Sequence, residues 1–334
     1  MEKERKQINV IKGALIILVV IGHFGQSLAN ALPSNIAFIE QGLMLFIYSF
    51  HMPLFMFVSG YLSTNDEKRR KKAFEDLFIP FLLFQIFVGI CYAVLSKSNE
   101  VFYNIFVPQM GAWYLMALFI FRLLLPDLKR IRYILITSVA ISVFAFLFKN
   151  IGNEFAMTRV LGFFVYFYFG YFAKKSKLNA GILNKMNKNV ARIILILIIF
   201  GFVVFVREFD VYSDGISVLT RSMPKGYGFM KGLLINSVVL LLAFIFGCLF
   251  LIALPKEHKL LEFIGKDTMP LYLSHLIVFM AFGYLKSHFS WIVTSVMAMI
   301  LIILSIAIFS TSIYRNLFNN SIKFISKKIF VEEE

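Results

Sequence analysis

Apolar residues are grouped along the chain into ten long runs, which are separated by short segments rich in charged residues, Gly and Pro. A helix needs roughly 20 mostly apolar residues to cross a bilayer core, because each residue rises about 1.5 Å. Each run must be helical, since lipid offers its backbone polar groups no partner. The pattern predicts ten membrane-spanning helices, at about 10–29, 44–63, 74–95, 110–125, 132–149, 159–173, 190–207, 229–254, 269–286 and 291–313.

The composition of the chain supports this interpretation. Of its 334 residues, 59% are hydrophobic, 40 are Phe and only 16% are charged. An average soluble domain is roughly half apolar and about a quarter charged. The composition therefore argues against a soluble enzyme and against a disordered chain. We expect an all-α, polytopic integral membrane protein that forms a single domain over residues 1–334, with a tail at 314–334.

The charge distribution predicts an orientation for the helices. The chain has 34 basic and 19 acidic residues, a net charge of +15 that would suggest nucleic-acid binding in a soluble protein. However, 23 basic residues lie in the segments on the N-terminal side of the predicted bilayer, and 4 lie in the opposite loops. Cytoplasmic loops of membrane proteins carry such an excess. We therefore expect cytoplasmic termini, contact with membrane lipids, no nucleic-acid partner, and a place in the cell membrane, as a bacterial plasma-membrane protein.

The first apolar run contains two ionisable residues on one helical face. Lys12 and His23 are eleven residues apart, which brings them to within about 20° of the same direction and separates them by about 16 Å along the axis. Ionisable groups at membrane depth usually face a cavity or a partner. Two plainer interpretations stay open: Lys12 as a residue that extends to the membrane surface, and His23 as a hydrogen-bonded packing residue. Both residues also argue that the run is a retained helix and not a signal peptide.

A second histidine is expected at the depth of His23. His51 lies about seven residues from the outer end of the second run, close to Pro53, which loosens a helix. The pair has no clear third metal ligand in the spans, so we predict no metal site. His275 is expected near the cytoplasmic start of the ninth span.

Arginines and a basic cluster complete the set of candidate residues. Arg122 is expected near the cytoplasmic end of the fourth span, and Arg159 near the outer start of the sixth. Each arginine can serve as an anchor at the membrane surface. Arg159 can instead orient an anionic substrate. The cluster at 68–72 either binds anionic lipid headgroups or forms a phosphate-binding entrance. The loop at about 208–228 is predicted to be a lid or a glycan-contacting segment.

Several motifs, taken in order, resemble the membrane acyltransferase-3 family, in the branch of fucose-4-O-acetylase-like proteins. The first is a basic residue followed after ten residues by His, here Lys12 and His23. The later landmarks extend over essentially the whole chain: Phe50-His51-Met52-Pro53-Leu54-Phe55, Ser59-Gly60-Tyr61, Ile79-Pro80-Phe81, Trp113-Tyr114-Leu115, Phe167-Tyr168-Phe169-Gly170-Tyr171, Ile264-Gly265-Lys266 and Tyr272-Leu273-Ser274-His275. The basic residue is usually Arg in the family. Many members also have an Arg before the Ile-Pro motif, where Glu75 and Asp76 stand here.

The resemblance implies transfer of an acyl group, usually acetyl, from cytoplasmic acyl-CoA to a hydroxyl of an exported or lipid-linked glycan. It implies that His23 is the general base or the acyl carrier. His51 would orient His23 or donate to the oxyanion. Other roles are assigned as follows: acetyl-CoA binding to Lys12, Arg69, Arg70 and Arg122, and substrate binding to Arg159 and Trp113.

Two alternatives stay open at this point. Ten spans with a polar stripe also fit a transporter or flippase of a lipid-linked sugar or small molecule, although the halves of the chain show no clear symmetry. Alternatively, His275 serves an acceptor in the inner leaflet, at a site apart from His23.

Overall fold

The computed structural model describes residues 2–96, 105–147, 154–176, 186–209, 211–220 and 228–330, and within them the chain is helical with no strand. The α-helices are α1 Glu2–Ala29, α2 Ser34–Tyr61, α3 Asp66–Lys71, α4 Ile79–Ser96, α5 Trp113–Leu128, α6 Ile134–Phe144, α7 Met157–Lys175, α8 Lys188–Phe209, α9 Tyr212–Leu219, α10 Phe229–Ala253, α11 Lys259–Gly265, α12 Met269–Leu285, α13 Trp291–Phe309 and α14 Ser312–Ile329. The predicted all-α fold is confirmed.

Nine helical segments in this part of the chain are long and apolar enough to cross a membrane. The tenth predicted span, 132–149, is described only to Leu147, and the described apolar helix, Ile134–Leu147, is by itself shorter than a span. Its last described residues, Ala145–Leu147, form a 3-10 turn. The molecule is thus a polytopic membrane protein, while the cytoplasmic position of its termini stays a prediction.

Helix α2 forms the centre of the bundle. It packs against α1, α7, α8, α9 and α10, and its side chains from Met44 to Met56 are all buried. It continues through Pro53, although a proline inside a helix removes one hydrogen bond. In contrast, α8 and α13 bury few residues and expose Ile, Leu, Phe and Val on the outside. A helix that exposes so many apolar side chains is suited to lipid contact.

Two glycines bring the short helix α11 into backbone contact with α1. A Cβ at Gly13 would collide with the carbonyl oxygen of Leu261, and a Cβ at Gly265 would collide with that of Asn9. The ammonium of Lys12 then donates to the carbonyl oxygen of Lys266, at 3.4 Å. Helix α12 therefore starts beside the middle of α1 and not beside its beginning.

Two predicted peripheral segments are described in part. Within the outer loop predicted at 208–228, α9 packs on α2, whereas Asp210 and residues 221–227 lie outside the described residues. Within the tail, α14 is described and residues 331–334 are not. Six of the basic residues counted above also lie outside the description: Lys97, Lys149, Lys177, Lys185, Arg221 and Lys225.

Candidate active site

Histidines from three helices meet in the interior of the bundle. The ring centroids of His23 on α1 and His275 on α12 are 5.3 Å apart, and the ring planes are tilted by 46°. His51 on α2 lies within electrostatic range of His23. His51 and His275 are buried, and His23 is partly buried. This cluster joins the first and ninth spans, which the sequence had treated as separate.

The prediction that His275 forms a site apart from His23 is wrong. Lys12 contacts Lys266, and from that level α1 and α12 run in the same direction. The ring centroids of His23 and His275, only 5.3 Å apart, give the relative depth of the two residues directly. The two imidazoles therefore arrive at nearly the same depth, and the proposed separate site at His275 is the site of His23.

Two of the histidines have their ring orientation set by the backbone. The Nδ1 atoms of His51 and His275 lie 2.7 Å from the carbonyl oxygen of Ile47 and 2.9 Å from that of Leu271, respectively. A carbonyl oxygen only accepts, so each Nδ1 carries the proton and each Nε2 of a neutral ring presents a lone pair. Neutral His51 therefore has no Nε2 proton to donate to an oxyanion. Of its two predicted roles, only that of orienting His23 is consistent with this tautomer.

Arg159 and Trp113 lie together beside this cluster. The guanidinium carbon of Arg159 is 5.0 Å from the centroid of the Trp113 ring, a cation–π arrangement. Arg159 also lies within electrostatic range of His23, Tyr48 and Tyr272. The structure thus brings together both residues that the sequence assigned to substrate binding.

Tyr48 is a site residue that the sequence analysis missed. Its ring meets that of His51 edge to face at 5.0 Å, and its hydroxyl donates to the Gln26 side chain at 2.8 Å. A Cβ at Gly22 would lie 3.5 Å from the Tyr48 ring. Tyr48 therefore packs against α1 at the residue that precedes His23.

A tight turn before α5 covers one side of His23. Met110, which begins this 3-10 turn, has a φ of 50°, a left-handed conformation that costs a non-glycine residue about 1–3 kcal/mol. The next residue, Gly111, accepts a short hydrogen bond from the Tyr272 hydroxyl. A Cβ at Gly111 would lie 3.3 Å from Nε2 of His23. Because glycine has no Cβ, no side-chain carbon of residue 111 lies against His23 Nε2.

A cavity of about 410 Å³, here termed the Lys12 cavity, is lined in part by Tyr114 and Tyr272. Three of the four residues assigned to acetyl-CoA line it: Lys12, Arg69 and Arg122. The fourth, Arg70, is outside this lining and is 3.3 Å from Asp127 in a solvent-exposed ion pair. The cavity wall also carries Lys323 and three carboxylates: Glu75, Asp76 and Asp267.

Aromatic side chains connect the Lys12 cavity to the histidines. Ser59 and Tyr114 line the cavity, and their hydroxyl oxygens are 2.6 Å apart. The Tyr114 ring lies 5.3 Å from the ring of Tyr272, which lies 6.0 Å from that of His275. A ligand that filled the cavity would thus end beside the imidazole cluster.

A family model described as an acyltransferase domain matches residues 5–315. The chain belongs to the acyltransferase-3 family. It is therefore a multi-pass membrane protein with an acyltransferase domain. The domain favours the enzyme over the transporter or flippase alternative. The fucose-4-O-acetylase-like branch stays a prediction.

The acyltransferase is also similar to the nodulation protein NolL of Sinorhizobium fredii (strain NBRC 101917 / NGR234). The two chains are 39% identical over 81 residues, which is 24% of this chain and 22% of NolL. No solved structure matches the acyltransferase.

The described part of the acyltransferase holds no group of three or more His, Cys, Asp or Glu side chains that could bind a metal ion. Two further residues missed by the sequence analysis, Gly111 and Tyr272, meet through a contact between positions 161 residues apart. The only sequence signal for them was their place within or beside the landmarks Trp113-Tyr114-Leu115 and Tyr272-Leu273-Ser274-His275.

Proposed function

We propose that this acyltransferase moves an acetyl group from cytoplasmic acetyl-CoA to a hydroxyl of an exported or lipid-linked polysaccharide at a bacterial cell membrane. One observation carries the proposal: the Lys12 cavity has four basic side chains in its wall and is also lined by Tyr272, whose ring lies 6.0 Å from that of His275. A polyanionic donor with a long flexible arm matches a site with cations at one end and a base at the other.

Lys12, Arg69 and Arg122 bind the phosphates of the donor in this proposal. Arg122 is 3.7 Å from Asp76 and mostly buried, so this carboxylate compensates part of its charge before the donor binds. Arg70 instead faces solvent beside Asp127. It belongs with the other exposed cations of the 68–72 cluster, which interact with anionic lipid headgroups.

His23 acts as the general base of the transfer. Its unprotonated ring nitrogen takes the proton of the acceptor hydroxyl while the oxygen attacks the thioester carbonyl carbon. The carbon–sulfur bond then breaks, and the leaving thiolate takes the proton from His23. Arg159, held over Trp113 and within electrostatic range of His23, stabilises the negative charge that develops on the carbonyl oxygen.

An acyl-histidine is the second route that the same geometry supports. In that route the ring nitrogen of His23 attacks the thioester, and the acceptor hydroxyl then attacks the acyl-imidazole. Incubation with acetyl-CoA but no acceptor, followed by mass spectrometry of the peptide that contains His23, distinguishes the routes. An acetylated His23 supports the covalent route, and an unmodified peptide supports the general base.

The proposal is tested with purified protein in lipid nanodiscs, supplied with acetyl-CoA and extracts of exported glycans. We expect CoA release coupled to a glycan mass increase of one acetyl group. His23→Ala should lower this rate by about 100-fold or more, since a general base contributes about 10²–10⁴-fold. The matched control is His288→Ala, because His288 is exposed and belongs to a turn outside the cluster. Full transfer by folded His23→Ala protein would contradict the role of His23.

A further inference from the structure

His275 carries an unusual buried atom. The residue is fully buried, with 0% exposure, and its Nε2 has no hydrogen-bond partner among the described residues. A buried acceptor without a partner destabilises the folded protein, because it has lost its hydrogen bond to water. Because Nδ1 donates to the carbonyl oxygen of Leu271, Nε2 of the neutral ring is an acceptor and not a donor. The position therefore suits a partner that brings an N–H or O–H group.

His23 is the neighbour that can supply this group. Its ring centroid is 5.3 Å from that of His275, and the 46° tilt lets a ring edge of His23 turn toward Nε2. A neutral imidazole carries one N–H, and its other nitrogen is the base. Catalytic hydrogen bonds are often unformed in the free enzyme and close when substrate is bound.

The other polar groups around His23 are less suited to accept its proton. Arg159 is a cation that only donates, so it cannot accept the proton of His23. His51, on α2, lies within electrostatic range of His23 and has its own Nδ1 bonded to the backbone, but its Nε2 is not among the buried atoms without a partner in the described residues. Of the three histidines, only His275 has a buried ring nitrogen, Nε2, without a hydrogen-bond partner among the described residues.

We propose that His275 is the positioning residue of the transfer reaction, whose Nε2 accepts a hydrogen bond from the ring N–H of His23. This bond holds His23 in one tautomer and one orientation, with its unprotonated nitrogen toward the acceptor hydroxyl. When that nitrogen takes the hydroxyl proton, Nε2 of His275 stabilises the resulting imidazolium. His275 keeps its own Nδ1 proton throughout, and the leaving thiolate takes the transferred proton from His23. This role rests on the proposed function of His23.

Two amides of similar size separate positioning from packing. In His275→Gln, the amide oxygen can take the place of Nε2 and accept from His23. In His275→Asn, the shorter amide takes the place of Nδ1, where it keeps the bond to Leu271 but leaves no acceptor toward His23. For His275→Asn we expect kcat to fall by about 100-fold or more, with the KM for acetyl-CoA unchanged within about twofold. His275→Gln should restore kcat to within about tenfold of the wild-type value.

Each variant is compared at equal amounts of folded protein, judged by size-exclusion elution and thermal midpoint. If His275→Asn does not accumulate, His275→Leu takes its place with the same expected loss of kcat. Equal losses in the Gln and Asn variants, or wild-type kcat in the variant that lacks the acceptor, would overturn the positioning role. An active wild type with inactive His23→Ala would still support the proposed function, so the two failures are distinguishable.

Discussion

The charges in the wall of the Lys12 cavity predict opposite effects of neighbouring substitutions on donor binding. The wall holds four basic and three acidic side chains, a net charge of +1 when all are ionised. Arg69→Met makes this wall neutral, and Asp267→Asn raises it to +2. Asp267 accepts from the Asn319 amide at 2.7 Å, a bond that the remaining amide oxygen of asparagine can keep.

The magnitude follows from Coulomb's law. Two unit charges about 8 Å apart at an effective dielectric constant of about 20 interact by about 2 kcal/mol, and mobile ions reduce this energy. A change of one charge should therefore shift donor binding by about 1–2 kcal/mol, which is about five- to thirtyfold. We expect Arg69→Met to raise the KM for acetyl-CoA by that factor and Asp267→Asn to lower it.

The assay measures CoA release against acetyl-CoA concentration at low and at high salt, because screening should shrink both shifts. The inhibition constant of free CoA, measured in parallel, reports binding without the chemical step. Arg70→Met is the matched control: it removes the same kind of side chain one residue away, where the guanidinium faces solvent at 3.3 Å from Asp127. Its KM should stay within about twofold of the wild-type value.

Two results would refute this reasoning. Equal shifts in Arg69→Met and Arg70→Met would mean that the general charge of the 68–72 cluster, and not the cavity wall, attracts the donor. A higher KM in Asp267→Asn would mean that Asp267 contributes to the donor site by its position and not only by its charge.

Two glycine substitutions give the remaining predictions. Gly111→Ala should lower kcat by about tenfold or more while the protein accumulates normally, because its methyl group would sit 3.3 Å from His23 Nε2; a wild-type kcat in that variant would contradict this geometry. Gly13→Ala should lower the free energy of unfolding by about 1–3 kcal/mol, and with it the thermal midpoint, because its Cβ would collide with the Leu261 carbonyl oxygen. Gly201→Ala is the control, since its Cβ would meet nothing within 4 Å, and an equal loss in both would argue against the helix contact.

Local properties of the sequence were sufficient to predict most of the fold. A run of apolar residues long enough to cross lipid must be helical whatever its neighbours, and nine of the ten predicted spans have helices of the required length. The tenth predicted span, 132–149, is described only to Leu147, and its described helix, Ile134–Leu147, is shorter than a span.

The assembly of the site depended on packing that no local pattern contains. The eleven-residue spacing of Lys12 and His23 placed them on one face of α1, since helical periodicity is a property of a single segment. The level of α12 is instead set by backbone contacts of α11 with α1 at Gly13 and Gly265. A sequence reading without those contacts placed His275 in a site apart from His23.

Local sequence properties therefore establish a helical membrane protein, with a cation and an imidazole in line on its first helix. Contacts between distant segments establish which residues surround that imidazole: His275 reaches it from another helix and Gly111 from a turn. The physical reason is that a span is selected by its own transfer into lipid. The depth and rotation of one helix against another depend instead on close contacts between residues far apart in the chain.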